Sequence, residues 1–502
     1  METKKVLAID IGASSGRAIL GIYDGNKIEL QEIHRFSNDP VTINGVVYWD
    51  VLRLLFEIKE SLVKAKPYGK INSIGIDTWG VDFGLLDHEG HLLNNPIHYR
   101  DERTVGMVEK SFEYLPKDEF YQITGNQFME LNTAFQLFSM VQKDSHLLKL
   151  ADVMLLMPDL FNYFLTGKKV SERTIASTTQ IYDAHMQKWS EKIIRELNIP
   201  AHLFPEIIES GTVIGQISPE IREELGIDAI DVIAVAGHDT QCAQVAVPIS
   251  HDEKFINHEQ SAMENDFVFL SCGTWSLLGT ELDAPLINDQ TLAFNITNEA
   301  AHAGKISFLK NITGLWLVQE SKRQWEREGK NHSYSELEQM AASSPPFKYL
   351  INPDDERFAA AGNIPKRISA YCHETNQHTP ENMGEVIRGI NESLALTYRK
   401  ALEELEACTG IRYPVIHMLG GGIQSELLCQ MTANACGRPV IAGPVEATVL
   451  GNIAIQLMAT KCVTSLEQAR HLIKTSQEIK TYQPKEVEAW QQQYDQFKTL
   501  IK

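Results

Sequence analysis

Asp239 is the residue whose type and position best suit proton transfer, because it stands where an apolar, strand-like run meets a segment with helical spacing. Residues 237–240 read Gly-His-Asp-Thr. A carboxylate at this point either caps the helix or takes the proton of a substrate hydroxyl, which is a poor nucleophile until that proton leaves. His238 is equally consistent with a hydrogen bond to a ligand and with a structural histidine.

A second candidate is the segment from Asp10 to Arg17, Asp-Ile-Gly-Ala-Ser-Ser-Gly-Arg, which is built mainly from small residues. Its backbone N–H groups and the hydroxyls of Ser14 and Ser15 suit a phosphate, and Arg17 adds a positive charge. Asp10 fits this picture if Mg²⁺ lies between its carboxylate and the phosphates. The alternative is a hairpin tip in which Asp10 caps the turn. It is not a Walker loop, because no G-K-[ST] follows.

Three further segments could contact a ligand. Residues 273–276, Gly-Thr-Trp-Ser, predict either a second phosphate-binding hairpin or a hairpin with a packed tryptophan. Residues 420–422 are all glycine, which is more than a sharp turn for packing requires and favours a bound adenine and ribose. In residues 77–82, Trp79 could stack on a sugar and Asp82 could accept its hydroxyls, although a core tryptophan is the better interpretation.

The elements that must position these loops alternate between strand and helix patterns, which indicates an α/β protein. Residues 6–23 and 267–282 share one pattern, an apolar run, a tight polar turn and a second apolar run. The pattern predicts two hairpins and suggests an internal duplication. Residues 50–65 predict a helix capped by Asp50, and residues 414–444 predict a βαβ unit with glycines before its helix.

Other turn and stop signals complete this picture. Asp24-Gly25 and residues 87–90 predict two more hairpins. Residues 385–408 predict a long helix that ends at Gly410.

Composition limits the classes of function. The chain has 502 residues, 43% hydrophobic and 22% charged, so we expect two globular domains with a boundary near Pro248. Asp and Glu total 66 against 46 Lys and Arg, a net charge of −20. Because an acidic surface repels phosphate backbones and anionic lipids, we expect no nucleic acid and no membrane as partners. A nucleotide would need a locally favourable site or a metal ion.

The cysteines and the N-terminus point to a cytoplasmic protein. The seven cysteines are scattered and form no C-x-x-C pair, which predicts buried free thiols in a reducing compartment. The sixteen histidines form no spaced cluster with cysteine, so we expect no structural zinc. The start, METKKVLAIDIGAS, lacks a signal-peptide core, and no stretch approaches the ~18 apolar residues of a membrane helix.

Taken together, the loops resemble the FGGY carbohydrate kinases of the actin-like ATPase superfamily. The order Asp-x-Gly-x-x-Ser, Gly-His-Asp, Gly-Thr-x-Ser, Gly-Gly-Gly is similar to that family from end to end. The strings that carry the resemblance are spread over nearly the whole chain and include IDIGASSGRAILG, GIDTWGVDFGLLD, GHDTQCA, GTWSLLGTEL, NITGLWLVQE and HMLGGGIQSELLCQMTANACGRPV.

The resemblance implies an α/β fold of two ribonuclease-H-like (actin-like ATPase) domains with an interdomain cleft. Residues 1–247 would form the N-terminal domain on the sugar side, and residues 248–502 the C-terminal domain on the ATP side. The implied ATP contacts are Ala13, Ser14, Ser15, Gly16, Arg17, Thr274, Gln319 and Gly421. The implied sugar contacts are Gly80, His238, Asp239, Thr240 and Asn311, with Asp239 as proton acceptor; Asp10 is the expected metal ligand.

The implied reaction is transfer of the γ-phosphate of ATP, with Mg²⁺, to the C1 hydroxyl of a ketose, L-rhamnulose in rhamnose breakdown, by a monomer or homodimer. L-Fuculose and xylulose are the alternative sugars. A nucleotide-switched binding protein would need the phosphate hairpins but no sugar pocket, and the intact Asp239 argues against an inactive sugar sensor. Residues 250–265 look longer than the family usually has at this place, and we expect a surface insertion there.

Overall fold

A computed structural model describes residues 3–249 and 267–501. The strands are β1 (Lys4–Ile11), β2 (Ser15–Tyr23), β3 (Ile28–Ser37), β4 (Val41–Ile43), β5 (Val46–Tyr48), β6 (Ser73–Thr78), β7 (Phe83–Leu86), β8 (Val153–Leu156), β9 (Ser171–Glu172), β10 (Tyr182–Asp183), β11 (Lys188–Trp189), β12 (Ile207–Ile208), β13 (Thr212–Gln216), β14 (Asp231–Ala234), β15 (Val268–Cys272), β16 (Trp275–Leu282), β17 (Thr297–Ala300), β18 (Ile306–Thr313), β19 (Ile416–Leu419), β20 (Val440–Ala442) and β21 (Lys480–Tyr482).

The α-helices are α1 (Val51–Ala65), α2 (Met107–Ser111), α3 (Lys117–Thr124), α4 (Thr133–Gln142), α5 (His146–Leu150), α6 (Met157–Thr166), α7 (Arg173–Ala176), α8 (Glu191–Glu196), α9 (Pro219–Leu225), α10 (Asp239–Val245), α11 (Asp289–Ala293), α12 (Trp316–Arg327), α13 (Tyr334–Ser343), α14 (Ile364–Glu374), α15 (Met383–Thr409), α16 (Glu426–Cys436), α17 (Ala447–Ala459), α18 (Leu466–Ser476) and α19 (Val487–Leu500). None of those described is both long and apolar enough to cross a bilayer.

The described residues divide into two compact units, each made of separate stretches of chain. Unit 1 comprises Met1–Pro248, Glu281–Phe308 and Ala447–Ser476. Unit 2 comprises Ile249–Thr280, Leu309–Glu446 and Gln477–Lys502. The first stretch of unit 1 ends at Pro248, but segments from later in the chain complete that unit. The expectation for residues 250–265 lies outside the described residues.

Unit 1 is organised around a sheet with the strand order β13-β14-β6-β1-β2-β3. Strand β1 runs parallel to β6, and β6 runs parallel to β14, whereas the neighbours β2 and β13 are antiparallel. Apolar side chains of β1 and β6 pack with those of α1 in one core, which includes Leu7, Ile9, Ile74, Ile76, Leu54 and Ile58. The carboxyl ends of the three parallel strands therefore meet at one edge, where α/β sheets bind ligands.

Unit 2 repeats this arrangement. Its sheet has the strand order β18-β16-β15-β19-β20-β21. Strands β15, β19 and β20 are parallel, and β16 and β21 run antiparallel to their neighbours β15 and β20. The matching of β1, β6 and β14 with β15, β19 and β20 supports the internal duplication inferred from the two hairpin patterns.

Most local predictions are confirmed. The hairpins at residues 6–23 and 267–282 form, and Asp50 caps α1 by accepting a hydrogen bond from the Arg53 N–H. Helix α15 ends at Gly410, whose φ of 71° lies in the left-handed region that favours glycine.

Three predictions differ in detail. The turn at residues 87–90 forms, but β7 pairs with the distant β8, and an isolated Leu86–Leu92 bridge joins β7 to the segment after the turn. In the βαβ unit Gly421 and Gly422 begin a short 3₁₀ helix, Gly420 holds its N-cap position, and Ser425 caps α16. Of the seven free cysteines, Cys408 and Cys462 are only half-buried.

Candidate functional site

Asp239 begins α10, directly after the loop that follows β14. The N-cap position is held by His238, whose side chain makes no capping hydrogen bond, so Asp239 is not the simple helix cap that its sequence position allows. Its side chain is 31% exposed, and its Oδ1 accepts a hydrogen bond from the Thr240 hydroxyl at 3.2 Å. The carboxylate is thus anchored yet accessible, as a base must be.

Glu172 gives the loop before Asp239 its shape. Its Oε2 accepts hydrogen bonds from the Gly237 N–H at 2.9 Å and from the Thr174 hydroxyl at 2.6 Å. The Thr174 hydroxyl in turn lies 3.4 Å from the N–H of His238. A Cβ at position 237 would lie only 3.0 Å from Pro158, which explains the glycine. A buried acid thus holds the backbone immediately before the base.

His238 is buried, and its ring joins two acids. Nδ1 lies 2.9 Å from Oε2 of Glu299, and Nε2 lies 3.6 Å from Oδ1 of Asp239. Glu299 Oε2 also accepts a hydrogen bond from the Gln241 amide at 3.0 Å. Burial alone would lower the pKa of His238, but the neighbouring carboxylates, Glu299 above all, raise it overall.

Asp10 and Asp77 lie side by side on the parallel strands β1 and β6. Asp10 Oδ2 accepts two hydrogen bonds from Arg17, its cross-strand partner on β2, at 3.0 and 2.7 Å. Asp77 Oδ2 accepts one from Asn452 of α17 at 2.6 Å. Asp77 Oδ1 is buried and has no hydrogen-bond partner in the described part of the chain.

The three acids Asp10, Asp77 and Asp239 influence one another. Burial raises the pKa of Asp77 well above its ordinary value, and the charges of Asp10 and Asp239 raise it further. Burial also raises the pKa of Asp239; His238 opposes this effect and Asp10 adds to it. A cation would relieve the repulsion among these groups.

A magnesium ion fits this acidic edge. Carboxylate oxygens are the ligands that Mg²⁺ prefers, and Asp10 and Asp77 offer them from adjacent strands, with Asp77 Oδ1 lacking a hydrogen-bond partner among the described residues. Within residues 3–249 and 267–501, the acids form no closed cage of three ligands here. Among the described residues, the one group of three side chains whose potential ligand atoms lie close together is Asp87, Glu89 and His91, on the turn after β7.

The first predicted phosphate loop is the tip of the β1–β2 hairpin. The Gly12 N–H donates to the Ser15 carbonyl at 2.9 Å and closes the turn. Ala13 and Ser14 are half-buried, and Ser15 is exposed. Gly16 is buried, and a Cβ there would lie 2.2 Å from the Phe36 ring, so this glycine has a packing reason.

Unit 2 holds the second predicted phosphate loop, the tip of the β15–β16 hairpin. The Thr274 hydroxyl donates to the side-chain oxygen of Gln319 on α12 at 3.0 Å. The Thr274 carbonyl accepts from the N–H groups of Gly314 and Trp316 at 3.2 and 3.1 Å. The structure therefore brings together Thr274 and Gln319, which lie 45 residues apart.

The three glycines at residues 420–422 have different surroundings. Gly420 has a φ of 80°, and a Cβ on Gly422 would lie 2.2 Å from the Cys272 sulfur. The structure therefore explains why both positions are glycine. Gly421 is exposed, and an added Cβ would meet no atom of the described residues within 4 Å. Among the three, Gly421 alone has open space above it, which suits a ligand.

The remaining predicted sugar residues fall in different units. Gly80 is half-buried in unit 1, where a Cβ would lie 3.3 Å from Thr178, and Thr240 is buried beside Asp239. Asn311 is half-buried on β18 in unit 2.

Trp79 is a core residue, as its sequence context favours. Its ring centroid lies 4.2 Å from that of Trp49, and both indoles donate to Oδ2 of Asp82, at 2.9 and 2.6 Å. Burial raises the pKa of Asp82 to about 6. The Asp82 carboxylate thus binds protein donors, which leaves the idea of a sugar ligand here without support.

Sequence reasoning missed Asp77, Glu172, Glu299 and Asn452 as parts of the site. Asp77 could have been identified from the sequence, because it stands at the end of an apolar, strand-like run. The other three reach the site from segments far along the chain, and no local pattern marks them.

Comparison with known proteins agrees with this architecture. Residues 5–246 match the N-terminal domain of the FGGY family of carbohydrate kinases, and residues 268–460 match the C-terminal domain of the same family. The chain is 42% identical to a rhamnulokinase of Bacteroides thetaiotaomicron over 99% of both chains. It is 40% identical to a rhamnulokinase of Oceanobacillus iheyensis over 95% of this chain and 97% of that one.

The fold is also that of solved sugar kinases. A crystal structure of gluconate kinase from Lactobacillus acidophilus superposes with a TM-score of 0.79 at 17% identity, covering 99% of this chain and 98% of the other. This likeness confirms the two-domain α/β fold expected from the sequence, and the two domain matches together span most of the residues. The chain belongs to the FGGY family of carbohydrate kinases.

Proposed function

We propose that this chain transfers the γ-phosphate of ATP to the C1 hydroxyl of L-rhamnulose and so yields L-rhamnulose 1-phosphate and ADP. The observation that carries the proposal is the 40–42% identity, over nearly the full length, to relatives named rhamnulokinase. The accessible carboxylate of Asp239 supplies the group that the reaction needs.

Asp239 acts as the base in this proposal. It accepts the proton of the C1 hydroxyl as the bond from oxygen to the γ-phosphorus forms and the bond to the β,γ-bridging oxygen of ATP breaks. Its raised pKa makes it a stronger base than an ordinary aspartate. The Thr240 hydroxyl orients the carboxylate, and the Glu172 network holds the loop that carries it.

Nucleotide binding falls to the two hairpin tips and the glycine turn. Ala13, Ser14, Ser15, Gly16 and Arg17 offer backbone and side-chain donors to phosphates, and Thr274 offers a hydroxyl. Gln319 and Gly421 line the nucleotide site. Asp10, with Asp77 beside it, would hold Mg²⁺, which neutralises phosphate charge when bound.

The sugar contacts are Gly80, His238, Asp239, Thr240 and Asn311. His238 lies beside the base, with Nδ1 held by Glu299 at 2.9 Å and Nε2 3.6 Å from Oδ1 of Asp239. We also propose that residues 1–247 bind mainly sugar and residues 248–502 mainly ATP, in a cytoplasmic monomer or homodimer.

A panel of ketoses tests the proposal. The purified chain is assayed for ADP release with Mg²⁺–ATP and L-rhamnulose, L-fuculose or xylulose, and the product is located by ³¹P NMR. We expect selective turnover of L-rhamnulose and phosphate on C1. Selective turnover of another ketose would replace the sugar. ATP hydrolysis that no sugar affects would instead favour a nucleotide-switched binding protein.

A further inference from the structure

We propose that Glu299 is a positioning residue for the base: it acts through His238 to keep Asp239 ionised and oriented. The inference rests on the proposed role of Asp239 and adds a residue that no sequence motif marks. Glu299 lies on β17, sixty positions beyond Asp239 in the chain, and is buried.

The geometry fixes the histidine ring. Because Nδ1 of His238 lies 2.9 Å from a carboxylate oxygen of Glu299, that nitrogen carries a proton and donates it. The Gln241 amide, one turn into α10, donates to the same oxygen and holds the carboxylate in place. Nε2 is then aimed toward Asp239 Oδ1, 3.6 Å away. The Glu299 carboxylate on a buried strand therefore acts on the Asp239 carboxylate through the imidazole ring that lies between them.

The charges around His238 define what Glu299 does. The ring faces Glu299 from β17, Asp239 from α10 and Glu172 from β9. Together these acids favour the imidazolium against the effect of burial, which lowers the pKa of the ring. The imidazolium in turn lowers the pKa of Asp239, against the effects of burial and of Asp10. Without the Glu299 charge the ring would become neutral more readily, and Asp239 would keep its proton to a higher pH.

The test is the pH profile of kcat/KM for L-rhamnulose in the intact protein. Glu299→Gln keeps an oxygen that can accept from Nδ1 and from Gln241 but removes the charge. We expect the acid limb of its profile to move upward by about one pH unit, while the high-pH plateau stays within about threefold of wild type. A purely structural role would lower activity equally at every pH and leave the limb in place.

Two comparisons make the test specific. Glu281→Gln removes a buried charge that also contacts α10, through Gln244 at 3.0 Å, but not through His238; its acid limb should not move. His238→Gln should shift the limb in the same direction as Glu299→Gln. Because Glu299 acts through the ring, adding Glu299→Gln to His238→Gln should shift it no further.

The outcomes separate this inference from the proposed function. Full activity of Asp239→Asn would overturn the role of Asp239 as the base, and with it the Glu299 inference, but would leave the proposed phosphorylation of L-rhamnulose in place. An inactive Asp239→Asn together with an unmoved limb in Glu299→Gln would overturn the Glu299 inference alone. If Glu299→Gln does not fold, two other variants decide: Glu299→Asp keeps the charge on a shorter side chain, and His238→Gln replaces the ring with a neutral amide. The inference then requires an unmoved acid limb in Glu299→Asp and a shifted acid limb in His238→Gln.

Discussion

The two units share one strand arrangement, yet the side chains at equivalent places in it differ in charge. In unit 1, Asp10 and Asp77 are register partners on the first two parallel strands. In unit 2, the register partners at the matching place are Ser271 and Leu419. The third parallel strand of unit 1 leads to Asp239, whereas β20 in unit 2 leads to Gly443-Pro444.

This difference teaches how one scaffold supports two tasks. Burial, and to a smaller extent repulsion among the acids of unit 1, raises the pKa values of Asp77 and Asp239, so keeping these groups ionised costs free energy. Such a cost is typical of sites that do chemistry. Unit 2 presents hydroxyls, an amide and an open glycine at the same edge, which suits a ligand that brings its own negative charge.

Loss of the base should give the largest effect, because it should lower catalysis while nucleotide binding persists. We expect Asp239→Asn to lower kcat by more than ~10²-fold, because only proton acceptance is lost. Calorimetric binding of ADP should stay within about threefold of wild type, because Asp239 is not among the residues proposed to contact the nucleotide. Asp228→Asn, an equal change at an exposed position of unit 1, is the control and should leave both quantities unchanged.

Asp77→Asn should lower the activity of the protein and raise its stability. We expect kcat to fall by roughly tenfold because a carboxylate beside Asp10 is lost. At neutral pH the thermal unfolding midpoint should rise by about 2–4 °C.

The sign of the stability effect follows from the pKa. The folded-state pKa of Asp77 lies above its unfolded value, so the ionised group costs folding free energy at neutral pH. That cost vanishes as the pH falls to the unfolded pKa. The midpoint difference between variant and wild type should therefore shrink toward zero near pH 4; a constant difference would contradict this account.

The glycine turn offers a matched pair within unit 2. Gly421→Val adds a side chain in open space, so we expect unchanged stability and a roughly tenfold higher KM for ATP, with the KM for sugar unaffected. Gly422→Ala pushes a Cβ against the Cys272 sulfur and should destabilise the fold by about 1–3 kcal/mol. The two effects are measured by steady-state kinetics and by urea unfolding. Equal effects at both positions would remove the case for Gly421 as a ligand contact.

The smallest effect is expected at the hairpin of unit 2. Thr274→Val removes the hydroxyl that bonds Gln319 and should raise the KM for ATP by about threefold. Thr274→Ser keeps the hydroxyl and should behave like wild type in the same assay. A rise in the KM for sugar in place of ATP would argue against the assignment of this hairpin to the nucleotide.

Local sequence patterns predicted the elements that hold the site. The two hairpins, the helix capped by Asp50 and the helix that ends at Gly410 all follow from apolar spacing and turn or cap residues, which act over a few positions. The β7 pairing was missed because Val153–Leu156 lies far from Phe83–Leu86 in the chain, and no local signal encodes the partner.

The sequence by itself determined the α/β class, the family and the residue types at the strand ends, because those depend on short-range patterning and on motifs that stand together in the chain. The tertiary structure alone decided which distant groups complete the site. Glu299 reaches His238, Asn452 reaches Asp77, and Glu172 holds Gly237, in each case from more than sixty residues away. A buried carboxylate needs partners wherever the fold can supply them, and only the folded chain brings those partners within hydrogen-bonding distance.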